Sequence, residues 1–214
     1  MFLIYINDLD EGIKSLILKF ADDTKIFRKI VSDEDWRQLQ NDLDLLLQWA
    51  AEDWQMTFNI KKCKVMHIGN RNLPSACYYM NGYKLAECQE EKDLGVLVSN
   101  NLKVGPQCNQ AFQKANLMLG LLKRMIDNKT LHIMLSLYKS LVRPHVEYCV
   151  SAWSPHYIKD KDTSERIQHR FTRLIPGMQK LSYMERLAKL RLVIGQDRRS
   201  SAKKQNITSA RSAI

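Results

Sequence analysis

The sequence predicts an α+β fold in which short antiparallel strands and one helix precede a part made of helices. Up to residue 98, short apolar runs are bounded by turn signals, which is the pattern of strands and hairpins. After Pro106, apolar residues recur at helical spacing. The 214 residues, 45% of them hydrophobic, suffice for one sizeable domain or two small ones. We therefore expect a domain boundary near residue 104.

Two short apolar runs lie on either side of an acidic pair near the amino terminus. Residues 15–21 and 24–27 flank Asp22 and Asp23. This arrangement predicts a β-hairpin with both aspartates at its tip.

A long amphipathic helix is predicted from Ser32 onward. Ser32 can cap the first turn, and the three acidic residues that follow suit the positive end of the helix dipole. One apolar stripe runs along the helix. Its members are Trp36, Leu39, Leu43, Leu46, Leu47, Ala50 and Trp54.

Further strands complete the amino-terminal part. We predict a strand within residues 63–69, a hairpin over residues 78–85 with a turn at Asn81-Gly82, and one more strand over residues 94–98. These strands and the helix are expected to pack on one sheet face.

Four helices are predicted after Pro106. Ser182 and Glu185 have the spacing of a capping box, which opens the fourth. Over residues 193–214 we expect a basic, disordered tail, because the apolar stripe ends there. The stripes of the first three helices are Phe112, Ala115, Leu119, Leu122 and Ile126; Met134, Leu137, Tyr138, Leu141 and Val142; and Ile167, Phe171, Leu174 and Ile175.

Positive charge is concentrated in the last quarter of the chain. Of the formal net charge of +10, residues 159–214 contribute +9, from 14 Lys and Arg against 5 Asp and Glu. Such a segment favours a polyanion, either nucleic acid or an anionic membrane surface, although a basic tail can also be a merely soluble end. We expect nucleic acid. The candidate phosphate contacts are Lys159, Lys161, Arg166, Arg170, Arg173, Lys180, Arg186 and Lys189.

Cysteine usage and the first residues indicate the compartment. The five cysteines are scattered and form no Cys-x-x-Cys pair, which is typical of a reduced, intracellular protein. The apolar residues 1–6 are followed by Asn7 and Asp8, which interrupt any signal-peptide core or membrane span. We expect a nuclear or cytoplasmic protein that is not secreted and has no membrane partner.

The strongest candidates for chemistry are Asp22 and Asp23. Adjacent carboxylates at a hairpin tip can bind a divalent cation, and phosphoryl transfer uses such ions to bring a hydroxyl group and a triphosphate together. For an isolated Asp-Asp pair, a solvated acidic turn is the commoner explanation.

The surrounding motifs resemble those of reverse transcriptases from non-LTR (LINE-type) retrotransposons. Phe20-Ala21-Asp22-Asp23-Thr24 resembles the aspartate-pair motif of this family. The other matching segments follow in the family's order, and together they cover roughly residues 1 to 192. Residues 2–9 resemble the helix after the glycine-rich motif, residues 58–69 and 92–96 resemble the next two palm motifs, and residues 135–148, 153–155 and 167–173 resemble the helical thumb and beyond.

The resemblance implies part of an RNA-directed DNA polymerase, with a partial palm over residues 1–104 and a helical thumb or connection over residues 105–192. In this family the aspartate pair and a third aspartate from an earlier palm strand hold two Mg²⁺ ions. By this match Asp22 is the main metal ligand and Asp23 its neighbour. The only small-molecule substrate implied is the dNTP of the intact family enzyme.

Lys62 matches the lysine that is thought to assist the departure of pyrophosphate in such polymerases, a role that suits a flexible ammonium group. An exposed lysine in a basic cluster with Lys61 and Lys64 explains the same residue equally well.

The sequence departs from the family because the third aspartate, the glycine-rich motif and the fingers all lie upstream of Met1. We therefore expect the chain by itself not to polymerise DNA. The alternative is a non-catalytic protein that binds RNA or an RNA/DNA duplex through the basic thumb and tail. Activity through complementation by a separately encoded upstream half is a third possibility.

The same departure predicts exposed apolar surface. Without the central palm strand, we expect the apolar faces of Phe2, Ile4, Leu16, Leu18 and Trp36 to lack cover.

Overall fold

The computed structural model describes residues 6–52, 54–69, 77–155 and 157–192. Of the described residues, 50% are helical and 15% are in strands, which agrees with the predicted α+β class. It divides into two compact units, Met1–Gln89 and Glu90–Ile214. We call these the amino-terminal unit and the helical unit.

The amino-terminal unit begins with the predicted hairpin. Strand β1 (Leu16–Phe20) pairs with β2 (Asp23–Phe27) in antiparallel register. Ala21 and Asp22 form the turn, and Ala21 has a φ of 52°, as the first central residue of a tight hairpin turn often requires. Asp23 pairs with Phe20, so Asp22 alone lies within the turn, whereas both aspartates were expected there.

Helix α1 (Asp33–Glu52) confirms the long amphipathic helix. The hydroxyl of Ser32 accepts a hydrogen bond from the backbone amide of Asp35 at 3.4 Å, and the Asp35 carboxylate accepts one from the Ser32 amide at 3.2 Å. Leu43 and Leu46 of α1 are buried in the core of this unit. The other buried members of this core are Leu9, Tyr78, Met80 and Leu85.

The remaining strands of the amino-terminal unit are two residues long. After a 3₁₀ turn at Ile60–Lys62, β3 (Lys64–Val65) pairs in parallel with β6 (Ala86–Glu87). Strands β4 (Tyr79–Met80) and β5 (Tyr83–Lys84) form the predicted hairpin, in which Asn81 and Gly82 have φ values of 49° and 75°.

The expectation of one shared sheet face is wrong for the described residues, where each strand pairs with one partner only and the sheets are two-stranded. Tight turns close three of the four pairs locally, and strands this short offer little edge for a further partner. One face of the first hairpin is exposed, with Leu16 at 62% and Leu18 at 53%, as expected. Trp36, in contrast, packs partly buried against the core. Phe2 and Ile4 lie outside the described residues.

The helical unit begins with a hairpin that the sequence did not predict. Strands β7 (Glu90–Asp93) and β8 (Val96–Ser99) are antiparallel, and Leu94 and Gly95 form the turn with φ values of 42° and 86°. The strand predicted over residues 94–98 is therefore confirmed at residues 96–98 and wrong at Leu94 and Gly95. Val96 shares a buried cluster with residues of the following helix, and the two compact units divide between Gln89 and Glu90. The domain boundary expected near residue 104 stays a prediction.

The helices that follow contain the predicted apolar stripes. The stripe of residues 134–142 lies on a helix that continues through a π-helical turn, Tyr138–Val142, just before Pro144. Proline cannot donate a backbone hydrogen bond to the preceding turn, which accounts for the widened turn. The helices are α2 (Gly105–Met125), α3 (Leu131–Leu137), α4 (Arg143–Glu147), α5 (Val150–Trp153), α6 (Ile158–Leu174) and α7 (Tyr183–Leu190).

The core of the helical unit forms where these helices meet. Tyr138 and Phe171 stack with ring centroids 4.0 Å apart, and Met134, Val142 and Ile167 are fully buried beside them. The predicted capping box is confirmed at the start of α7, where the Ser182 amide donates to Oε2 of Glu185 at 2.7 Å.

None of the described helices combines the length and the hydropathy that a bilayer-spanning segment needs. The tail predicted over residues 193–214 lies outside the described residues.

Candidate nucleic-acid interface and acidic turn

The acidic turn presents two exposed carboxylates. Asp22 lies in the turn and Asp23 begins β2, and both side chains are exposed. The hairpin is anchored by Ile17 and Ile26, which pack against the core of the amino-terminal unit. Among the described residues, no three His, Cys, Asp or Glu side chains come together as a metal site. Within the described parts of the chain, Asp22 and Asp23 therefore lack the third carboxylate that the resemblance implies for two Mg²⁺ ions.

Lys62 ends the 3₁₀ turn of the amino-terminal unit and is exposed. Its backbone amide donates to the carbonyl of Asn59 at 2.9 Å, which fixes the backbone but leaves the ammonium group in solvent. In the described structure, neither Asp22 nor Asp23 forms a hydrogen bond or an ion pair with this lysine. No chemical step connecting these groups follows from their geometry.

Helix α6 carries a row of cations on its solvent face. Lys159, Arg166, Arg170 and Arg173 follow one another at intervals of seven, four and three residues, which places them on one face of the helix. All four are exposed. We call these four residues the α6 basic stripe. The opposite face of the helix buries Ile167, Gln168, Phe171 and Thr172.

The positive charges of the α6 basic stripe are not paired with carboxylates of the described residues. In the part of the chain that the structure describes, none of its four side chains forms an ion pair with a carboxylate, so their charge remains directed at solvent. Lys161 is not part of the stripe, because it is two residues from Lys159 and half-buried. Lys180, in the α6–α7 connection, and Lys189, in the last turn of α7, are exposed as expected.

Arg186 is not at the surface, unlike the other predicted contacts. Its side chain is 2% exposed, and Nη2 donates to Nε2 of His169 at 3.2 Å. The guanidinium lies 5.7 Å from the ring centroid of Tyr183. The expectation of a solvent-facing phosphate contact fails at this position because Arg186 shares the buried face of α7 with Leu187 and Leu190.

Buried polar groups connect α6 with α7 and the π-helical turn. The Tyr183 hydroxyl donates to the Glu165 carboxylate, Nε2 of Gln168 donates to the Tyr183 oxygen at 3.3 Å, and the Tyr138 hydroxyl donates to Oε1 of Gln168 at 3.3 Å. Burial, followed by the neighbouring Glu165, raises the pKa of Tyr183 well above its usual value. Tyr183 therefore stays protonated and acts as a hydrogen-bond donor.

The pKa values of His169 and Arg186 are both lowered. Burial lowers the pKa of His169, the charges of Arg173 and Arg186 lower it further, and the charge of Glu165 opposes the shift. Burial, followed by the charge of Arg173, also lowers the pKa of Arg186. A neutral His169 can accept the hydrogen bond from Arg186, which agrees with the observed contact.

Comparison with known proteins bears on the origin of these features. Over 147 residues, the chain is 28% identical to the RNA-directed DNA polymerase from mobile element jockey of Drosophila melanogaster. The match covers 67% of this chain and 16% of the jockey protein, so the chain spans well under two thirds of its relative. The similarity supports a relationship to retrotransposon reverse transcriptases. No protein-family model and no solved structure matches the chain.

The helical unit also contains a cavity that sequence reasoning missed. It has a volume of about 200 Å³ and lies where α2, α4 and the β7–β8 turn meet. Lys114 and His145 line it, and the Tyr148 hydroxyl at its wall donates to the carbonyl of Leu94 at 2.9 Å. No local pattern indicates such a cavity, since its walls come from segments far apart in the sequence.

The burial of Arg186, by comparison, had a signal in the sequence. Arg186 precedes Leu187 by one residue and Leu190 by four, which is the spacing of one helix face. Charge alone placed it among the surface contacts.

Proposed function

We propose that the chain corresponds to a palm and thumb portion of a retrotransposon RNA-directed DNA polymerase, and that it binds RNA or an RNA/DNA duplex without polymerising DNA by itself. The observation that carries this proposal is the similarity to the jockey polymerase over 147 residues. Since the match covers 16% of that protein, its activity is not transferred as a whole.

The α6 basic stripe supports the binding part of the proposal. From Lys159 to Arg173 it extends about 21 Å along the helix at 1.5 Å per residue. That length spans several consecutive phosphates of a nucleic-acid strand. Exposed arginines that are not committed to carboxylates are suited to bidentate phosphate contacts. Lys161, Lys180 and Lys189 are further candidate contacts under the same proposal.

The acidic turn supports the absence of polymerase activity. Asp22 and Asp23 are the proposed Mg²⁺ ligands, but a two-metal mechanism needs a more complete set of carboxylates than the described residues bring together. Lys62 is proposed as part of the same ancestral site, and we assign no step to it in this chain. Nuclear or cytoplasmic location belongs to the same proposal.

Primer extension and nucleic-acid binding, measured on the same purified chain, test both parts. We expect no extension of a primed RNA template with Mg²⁺ and dNTPs, and binding to RNA and to an RNA/DNA duplex that weakens steeply as salt is raised. The variant Asp22→Asn should bind as the wild type does. Extension that disappears in this variant would show that the metal site is complete and that the inactive assignment is wrong.

A charge-matched pair of variants tests the stripe. Arg166→Gln combined with Arg170→Gln should reduce the slope of log K against log salt by about 0.7 to 0.9 per lost phosphate contact. The control is Lys123→Gln combined with Arg124→Gln, which removes two exposed charges from α2. If the two double variants lose affinity equally, binding depends on net charge and not on the stripe. If the wild type does not bind nucleic acid at low salt, the binding proposal is wrong.

A further inference from the structure

Arg186 is a buried cation with no carboxylate to balance it. The side chain is 2% exposed and donates to His169, and among the described residues Nε has no partner. No carboxylate in the described residues forms an ion pair with it. Proteins rarely bury a charge in this way, because desolvation is costly unless a counter-charge and further hydrogen bonds compensate for it.

The two acidic residues of α6 and α7 that flank this site are already engaged. Glu165 accepts the hydrogen bond from the Tyr183 hydroxyl. Glu185 accepts from the Ser182 amide at 2.7 Å as the second half of the capping box. Both keep their negative charge, but neither forms an ion pair with Arg186 in the described structure.

The neighbouring groups make the imbalance larger. The exposed Arg173 lies one turn after His169 on α6, and its charge lowers the pKa of both His169 and Arg186. The contact between Arg186 and the ring of Tyr183, at 5.7 Å, is attractive but supplies no hydrogen-bond acceptor. Two guanidinium groups and an imidazole are thus neighbours at the α6–α7 junction. The charge of Glu165 acts on His169, but no described carboxylate forms an ion pair with either guanidinium group.

We propose that Arg173, His169 and Arg186 form a site for a phosphate group, with Arg186 at its base and Arg173 at its solvent edge. A phosphate oxygen can accept from several N–H donors at once, and guanidinium groups match its geometry. The phosphate has two possible sources, the backbone of a bound nucleic acid or free inorganic phosphate. The first source rests on the proposed function, because Arg173 is also the last residue of the α6 basic stripe.

The proposal is tested by titrating inorganic phosphate into the full chain at constant ionic strength, with chloride as the replaced anion. Binding is followed by calorimetry and by the thermal unfolding midpoint. We expect phosphate to bind and to raise the midpoint, as any ligand of the folded state does. Arg173→Gln, which changes an exposed residue, should weaken phosphate binding about tenfold, the loss of one charge-assisted hydrogen bond. Arg124→Gln on α2 is the matched control and should bind as the wild type does.

A second variant separates a binding role of Arg186 from a structural one. Arg186→Met removes an uncompensated buried charge and keeps much of the side-chain volume, so without phosphate its unfolding midpoint should be equal to or above that of the wild type. Phosphate should no longer raise it. A midpoint well below that of the wild type would make Arg186 a structural residue and overturn the proposal.

Competition distinguishes the two sources and separates this proposal from the previous one. Phosphate that displaces RNA from the wild type, but not from Arg173→Gln, identifies the site as a backbone contact. Phosphate binding without competition, or without any RNA binding, identifies a site for free phosphate and is independent of the proposed function. No phosphate binding by the folded wild type, or an equal loss in Arg124→Gln, refutes the site.

Discussion

Asp42 is a fully buried carboxylate on α1. Its Oδ2 accepts from the backbone amide of Ser15 at 2.9 Å, and its Oδ1 accepts from the Lys14 amide at 3.3 Å and from Nε2 of Gln38 at 2.9 Å. These bonds tie the start of β1 to the helix that packs behind it. The apolar stripe that predicted α1 omits this residue, because polarity at position 42 looks like part of the solvent face.

Replacing Asp42 with alanine should destabilise the amino-terminal unit by about 1–3 kcal/mol, because the amide of Ser15 loses its partner in a buried position. Urea unfolding followed by tryptophan fluorescence measures the effect. Asp44→Ala is the control, since Asp44 is exposed and its partner Gln40 is on the same helix. The free energy of unfolding of Asp44→Ala should differ from that of the wild type by no more than about 0.5 kcal/mol. Equal effects of the two variants would mean that the bonds to β1 contribute nothing.

The charge of a residue did not predict that Arg186 is buried and Lys189 exposed. Both are basic residues of α7, yet one is buried and the other exposed. The difference arises from their position around the helix axis relative to Leu187 and Leu190, which face the core.

Among the elements, the β7–β8 hairpin differs most from expectation. Leu94 and Gly95 both adopt positive φ, a conformation that is common for Asn-Gly but rare for leucine. The Tyr148 hydroxyl bonds to the carbonyl of Leu94, and the Tyr148 ring lies against Gly95, where an added Cβ would be 3.0 Å from Cε1. A contact across more than fifty residues thus accompanies a turn that the local sequence does not favour.

Gly95→Ala should therefore be more destabilising than Gly177→Ala. Both glycines lie in the helical unit with positive φ, at 86° and 78°, so each substitution loses about 1 kcal/mol from backbone strain. Gly177 faces open space, whereas Gly95 meets the Tyr148 ring. Urea unfolding should show a larger loss of unfolding free energy for Gly95→Ala than for Gly177→Ala. In a Tyr148→Ala background, the loss caused by Gly95→Ala should be smaller. Equal losses at the two positions would mean that the tyrosine ring moves aside freely.

At the scale of the whole molecule, the two units have separate cores. The buried cluster around Leu43 and Leu46 draws only on the amino-terminal unit, and the clusters around Phe171 and Trp153 draw only on the helical unit. The division before Glu90 follows from Val96, which packs with Cys108 of α2. Palm and thumb remain proposed names for these parts.

A polypeptide of residues 90–214 should fold by itself and unfold cooperatively. One of residues 105–214 lacks β7 and β8 and should be less stable by at least ~1.5 kcal/mol, the contribution from burying one Val-sized side chain. Circular dichroism during thermal and urea unfolding compares the two. If the shorter polypeptide proves equally stable, the boundary near residue 104 is the better one. The β7–β8 hairpin then contributes nothing to the stability of the helical unit.

The sequence by itself determined the features whose signals lie within a few residues of one another. The Asn81-Gly82 turn, the cap at Ser32, the capping box at Ser182 and the apolar stripes all depend on local backbone geometry, and the first hairpin was found for the same reason. Only the tertiary structure decided that Leu94-Gly95 is a turn, that Asp42 binds β1 and that the strands remain in separate pairs. These features depend on contacts between residues distant in the sequence, whose free energies override local preference and leave no local pattern.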